Sequence, residues 1–194
     1  MNTVPIVPGL NGSDENHWQS HWERRLPNTL RVQQDDWSTP DLALWSEKVV
    51  QAARGKKDLW IVAHSFGVLA TVHALPQIVD QVQGVFLVAP ADPHKFGLQG
   101  VLTRRVLPVR GALVASHSDP WLSWNNAVEM ADNWYLPLLD AGAAGHINVA
   151  SGHHEWKQGL QWFESLQRST LDIKQELFVI GEHFSYANDF RIAI

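Results

Sequence analysis

The apolar positions of this chain gather in short unbroken runs instead of alternating strictly with polar ones. The runs are Val4–Val7, Leu30–Gln33, Leu59–Ala63, Val85–Val88, Ala112–Ala115 and Tyr135–Leu139. Such Val-, Ile- and Leu-rich runs predict parallel strands covered on both faces. Between them lie stretches with helical spacing: Asp14–Arg25, Pro40–Ala53, Val68–Ile78, Ser123–Asn133 and Glu155–Gln167. In the second of these, Thr39 is the expected N-cap and Pro40 the first helical residue, a position that needs no N–H. Strand and helix in regular alternation predict an α/β, doubly wound fold with a mostly parallel sheet of about six strands flanked by helices. In that architecture the working groups belong on loops beyond the C-terminal ends of the strands.

One connection breaks the pattern. Pro90–Gly111 is too long for an ordinary crossover and reads as a cover or binding segment. It carries Lys95, Arg104, Arg105 and Arg110 against one acid, Asp92. The helical pattern ends near Ser169, so residues 1–168 are expected to form a single domain and 169–194 a C-terminal extension of unassigned role.

Composition narrows the chemistry. The 194 residues fit one domain, and the absence of cysteine excludes disulfides, a thiol nucleophile and cysteine-ligated metals. Any nucleophile must then be oxygen-based or metal-activated. A net charge of −5 argues against nucleic acid or an anionic membrane as partner. No apolar run approaches the roughly 18 residues of a membrane span, and MNTVPIVPGLNG lacks the basic start of a signal peptide. The expected location is cytoplasmic.

The stretch Leu59–Leu69, LWIVAHSFGVL, reads as strand, turn and helix with Ser65 at the apex. Ala63 and Gly67 stand two residues either side of that serine. A nucleophile elbow needs small residues at those positions, because strand and helix approach closely across a strained turn. A nucleophilic serine also needs a base and an orienting acid, in the chain order Ser, Asp/Glu, His on this type of sheet. Asp119 follows the strand Ala112–Ala115, and His146 follows Tyr135–Leu139 in a loop of small residues, so both stand in that order. Asp92, after the preceding strand, is the competing acid. The oxyanion donors are expected to be the backbone N–H groups of Phe66 and of Leu10, with Asn11 as the alternative to Leu10. Trp121 and Trp124, close behind Asp119, are candidate walls of the pocket together with Asn11.

The histidine pairs do not suggest a metal. His17 and His21 stand four apart on a helix pattern but lack the glutamate of an H-E-x-x-H site, and His153–His154 are adjacent. No metal and no cofactor are expected. His64, beside Ser65, is read as a hydrogen-bonding group behind the turn, and Trp18, Trp22, Trp45, Trp60 and Trp162 as core.

These motifs also carry a family resemblance. Pro8-Gly9, Glu15-Asn16-His17-Trp18 with Trp22, the Ala63-His64-Ser65-x-Gly67 turn, Ala89-Pro90-Ala91-Asp92, Ser118-Asp119-Pro120, and Gly145-His146-Ile147-Asn148 with Ser151-Gly152 and Trp156 resemble the small serine hydrolases that include retinoblastoma-binding protein nine and its bacterial relatives. The resemblance spans about residues 3–168. It implies a minimal α/β-hydrolase fold with little or no lid and a Ser65, Asp119, His146 triad. It departs from many α/β-hydrolases only in Ala63, where they have glycine.

The reading is therefore an esterase-like serine hydrolase that cleaves a small ester, thioester or amide through an acyl-enzyme, with a small-molecule acyl substrate. The alternative is a protein-binding module on a hydrolase fold, which leaves a protein partner open. Oligomeric state is not legible.

Overall fold

The structure is a computed structural model that describes residues 2–102 and 106–169. The expected arginines Arg104 and Arg105, and residues 170–194 of the C-terminal extension, lie outside the described residues. The chain divides into two compact units, Met1–Trp156 and Lys157–Ile194. In the second, a helix covers 157–169, with Leu160 and Phe163 buried.

The first unit holds six strands: β1 Val4–Val7, β2 Thr29–Arg31, β3 Leu59–Ser65, β4 Val82–Pro90, β5 Arg110–Ala115 and β6 Leu138–Asp140. They form one sheet in the order β2-β1-β3-β4-β5-β6, and every neighbouring pair is parallel. The helices are α1 Trp18–Arg25, α2 Leu42–Ala53, α3 Phe66–Ile78, α4 Gln99–Leu102 and α5 Trp124–Trp134. This is the doubly wound parallel sheet of about six strands that the apolar runs predict, in the arrangement that the resemblance implies.

Both faces of the sheet are covered, which is why its runs do not alternate. Leu59, Ile61 and Ala63 of β3, Val85 and Leu87 of β4 and Leu113 of β5 join one core with α2, α3 and α5. Their neighbours Trp60, Val62, Phe86 and Val88 point to the opposite face and are equally buried. On that side α1 supplies Trp22, whose ring stacks 6.1 Å from Phe86. Each such side chain contributes roughly 1.5–3 kcal/mol by leaving water.

The ends of elements depart from expectation where caps and turns decide them. Helix α2 starts at Leu42, not Pro40, because Asp41 is the N-cap: its carboxylate accepts the Leu44 N–H at 3.0 Å. Thr39 does not cap; its carbonyl accepts the Trp45 indole N–H at 3.0 Å. Helix α1 starts at Trp18 with His17 as its cap, so Asp14–Asn16 stay in a turn. Strand β6 begins at Leu138 because Tyr135 is the left-handed end of α5, at φ 56, and Pro137 follows.

The sheet order reverses between β1 and β3, since β2 lies on one side of β1 and β3 to β6 on the other. A crevice opens beyond the strand ends at such a reversal. The loops after β1 and β3 meet there.

Candidate functional site

Ser65 closes β3 and caps α3 in a backbone conformation that L residues rarely adopt, φ 55 and ψ −125. That geometry turns the chain sharply and leaves the hydroxyl at the mouth of the crevice. The neighbours make the turn possible. A Cβ on Gly67 would stand 2.3 Å from the Pro8 carbonyl oxygen, and one on Gly9 would stand 2.6 Å from the Ser65 Cβ. Ala63 is fully buried beneath, and its methyl fits.

His146 arrives from the loop after β6 and meets Ser65 and Asp119 at once. Its Nε2 lies 2.9 Å from the Ser65 Oγ, and its Nδ1 lies 2.9 and 3.0 Å from the two Asp119 oxygens. The Asp119 side chain is 3% exposed and that of His146 9%, so the pair sits out of water. Asp119 also accepts the Trp121 N–H at 2.8 Å, which fixes the carboxylate in its turn. A carboxylate on Nδ1 favours the tautomer with the proton there and leaves Nε2 as the acceptor facing the serine.

Long-range bonds hold these loops in register. Ser116 Oγ accepts the Ala144 N–H and Ser118 Oγ the Gly145 N–H, both at 2.9 Å, tying the Asp119 turn to the His146 loop. The His146 carbonyl accepts the Nε2–H of His64 at 2.9 Å, and the next carbonyl, Ile147, accepts the Trp18 indole N–H at 2.9 Å. Burial drives the His64 pKa well below that of a free imidazole, so it acts here as a neutral donor. Sequence reading gives Trp18 a place in the core and in the family motif but no bond to the His146 loop, and assigns no role to Ser116 or Ser118. The signal was present in Ser116-His117-Ser118-Asp119, two hydroxyls spaced to brace a turn.

Asp92 is elsewhere. It caps a short 3₁₀ turn, Pro93–Phe96, by accepting the His94 N–H at 2.9 Å. It lines a separate cavity of about 60 Å³ with Asn126 and Met130. The crevice at Ser65 encloses about 250 Å³, walled by Leu10, Asn11, His17, Phe96, Trp121 and Asn148 among others. Trp121 therefore reaches the pocket, whereas the expected wall Trp124 does not: its ring stacks 3.9 Å from His117 instead. Lys95 donates to the Pro120 carbonyl at 2.9 Å and sits 5.2 Å over the Trp121 ring, so the long connection after β4 is pinned beside the pocket mouth.

Backbone donors are distributed unevenly. The Asn11 N–H is spent on the Trp37 carbonyl at 2.8 Å and the Gly12 N–H on the Gly9 carbonyl at 3.0 Å. Among the described residues, the N–H groups of Leu10 and Phe66 take no backbone partner. Phe66 opens α3, where the first N–H groups have no intrahelical acceptor. Among the described residues no cluster of three or more His, Asp and Glu could hold a metal ion, and no helix is long and apolar enough to cross a membrane.

Comparison with known proteins gives the family and the fold. A YdeN-like hydrolase from Pectobacterium atrosepticum is 37% identical, covers 88% of this chain and 92% of its own, and superposes with a TM-score of 0.83. The YdeN protein of Bacillus subtilis is 19% identical over 85% of this chain and all of its own, with a TM-score of 0.69. Est1E of Butyrivibrio proteoclasticus, solved with ferulic acid, shares the fold at 15% identity and a TM-score of 0.65, covering 89% of each chain. No curated protein matches in sequence. The family described as Serine hydrolase matches residues 4–165, nearly the whole of the described chain, and it is to this family of serine hydrolases that the protein belongs.

Proposed function

We propose that Ser65, His146 and Asp119 work as nucleophile, base and orienting acid on a small ester, thioester or amide. The observation that carries the reading is the single imidazole bonded to Ser65 through Nε2 and to Asp119 through Nδ1. In this reading Ser65 Oγ attacks the acyl carbon while its proton passes to His146 Nε2. The carbonyl oxygen gains negative charge, and the N–H groups of Leu10 and Phe66 stabilise it. The tetrahedral adduct collapses by breaking the bond to the leaving alcohol, thiol or amine, which takes the proton from His146. Water then attacks the acyl-enzyme and gives its proton to the same imidazole, and as the second adduct collapses that proton passes to Ser65 Oγ, releasing the acid and free Ser65. Asp119 keeps its proton partner in place and stabilises the imidazolium at both steps.

A fluorophosphonate probe tests this directly. It is expected to label Ser65 and no other residue, as located by peptide mass spectrometry. A folded protein without the label would favour a protein-binding module over catalysis.

The size of the pocket supports a short acyl group. Each extra methylene adds about 0.8 kcal/mol only where it is buried, and about 250 Å³ walled by Trp121 and Phe96 has little room for a long chain. Across p-nitrophenyl esters, kcat/KM is expected to peak between acetyl and butyryl and to fall by octanoyl. A continued rise toward long chains would contradict it.

A further inference from the structure

His17 is buried, 5% exposed, yet it forms part of the wall of the Ser65 pocket. It is also the N-cap of α1, where its Nδ1 accepts the Gln19 N–H at 3.2 Å. Capping does not explain an imidazole at this position. Asn, Asp, Ser and Thr cap helices well with a single oxygen, and histidine is not among the favoured types. The cap uses only Nδ1. It also fixes the proton on the far nitrogen, because an Nδ1 that accepts must be bare and the neutral ring then carries Nε2–H.

Burial lowers the His17 pKa to about 4, with Asp14 raising it and Arg31, His146 and His153 lowering it further. The ring is therefore neutral at pH 7. Its neighbours leave Nε2–H unused. His64, 5.0 Å away between ring centres, donates its Nε2–H to the His146 carbonyl, and the Asn148 Oδ1 accepts the Ser151 N–H; neither side chain is bonded to the His17 Nε2. Among the described residues no acceptor is bonded to the His17 Nε2, and it is not one of the buried polar atoms sealed off without a partner, which are Gln34 Nε2 and Gln81 Oε1. His17 is also one of the residues that line the pocket, on which it keeps a small surface. Among the described residues no carboxylate and no ammonium line that pocket, so it offers an uncharged donor to an uncharged acceptor.

We propose that His17 is a substrate-recognition residue whose Nε2–H donates to a neutral acceptor oxygen of the substrate, an ether, hydroxyl or carbonyl, in the pocket beside Ser65. The inference rests on the acyl-transfer reading above and narrows it from small esters to small esters that carry a second oxygen in the acyl or the alcohol part.

The test is His17→Asn, which keeps a side-chain oxygen for the Gln19 N–H but cannot place a donor where Nε2–H stands. Two matched substrate pairs are compared: p-nitrophenyl methoxyacetate against p-nitrophenyl butyrate, and 2-methoxyethyl acetate against butyl acetate. Each pair differs by one oxygen for one methylene. The variant is expected to lower the kcat/KM of the oxygen-bearing member relative to its all-carbon partner about tenfold in one pair, mostly through KM, and to leave that ratio unchanged in the other. The pair that responds tells whether the acyl or the alcohol side meets His17. Equal losses on all four esters, or no loss on any, would overturn the proposal. Fluorophosphonate labelling of Ser65 is measured on wild type and variant together. An unlabelled wild type refutes the triad reading itself, whereas normal labelling without discrimination refutes only the role of His17. Should His17→Asn fold poorly, ¹⁵N NMR of wild-type His17 decides. The Nε2 resonance is expected to shift in the adduct with a fluorophosphonate whose chain carries an ether oxygen and not in that with its all-carbon analogue. Identical spectra would overturn the proposal.

Discussion

Replacing Ser65 by alanine is expected to lower ester turnover by about 10⁶-fold, the loss seen when a triad nucleophile is removed elsewhere, with the melting temperature unchanged or slightly higher. Among the described residues the hydroxyl is bonded only to His146 Nε2, at the rim of an open crevice, so its loss leaves no sealed polar atom behind. The strain of the turn is carried by the backbone, at φ 55, and remains with alanine. A site kept strained for function gains little from evolution in stability, so removing the function is cheap for the fold. Initial rates and a thermal melt on the same preparation check both halves. Turnover that survives in Ser65→Ala would mean that another group attacks the acyl carbon.

Asp119→Asn is expected to cost about 10⁴-fold, by analogy with the tautomer effect in other triads, whereas Asp92→Asn is expected to stay within a few fold. The asparagine oxygen can still accept the Trp121 N–H, which turns its amide nitrogen toward His146 Nδ1. An amide N–H there demands a bare Nδ1, and the proton moves to Nε2. An imidazole protonated on Nε2 has no lone pair for the Ser65 proton. Asp92 touches neither ring nitrogen of His146; its oxygens meet the His94 N–H and, at 3.5 Å, the Asn126 amide. Steady-state kinetics of the two variants decides, and the reverse ranking would move the orienting acid to the end of β4.

The elbow at Ser65 was readable from a local rule. Small residues at Ala63 and Gly67 around a serine, after an apolar run and before a helix, describe a turn whose sterics involve only adjacent chain. The partial failures fall where the rule is not local. Thr39 and Asp41 are both good N-caps, and the choice depends on whether the Thr39 carbonyl is needed elsewhere, which the Trp45 indole decides. Trp121 and Trp124 stand three apart, and only the stacking of Trp124 on His117 shows that one faces the pocket and the other does not. His17, whose spacing to His21 carries no metal motif, is made a cap and a pocket wall by the turn that precedes α1.

The sequence by itself determined the alternation of buried strand and helix, the parallel sheet that follows from it, and the order in which a serine, an acid and a histidine follow three of the strands. Those features are written in periodicity and in side-chain size, which act over a few residues. The tertiary structure alone decided which loop groups converge. The bonds that aim His146 join residues 27 to 129 positions apart, from Asp119 and Ser118 on one side to His64 and Trp18 on the other. Direction at a loop is set by such distant partners because a loop has no ladder of its own to orient it. The availability of the Leu10 N–H, the engagement of that of Asn11 with Trp37, and the open nitrogen of His17 are decided in the same way, by what the rest of the fold brings within 3 Å or so.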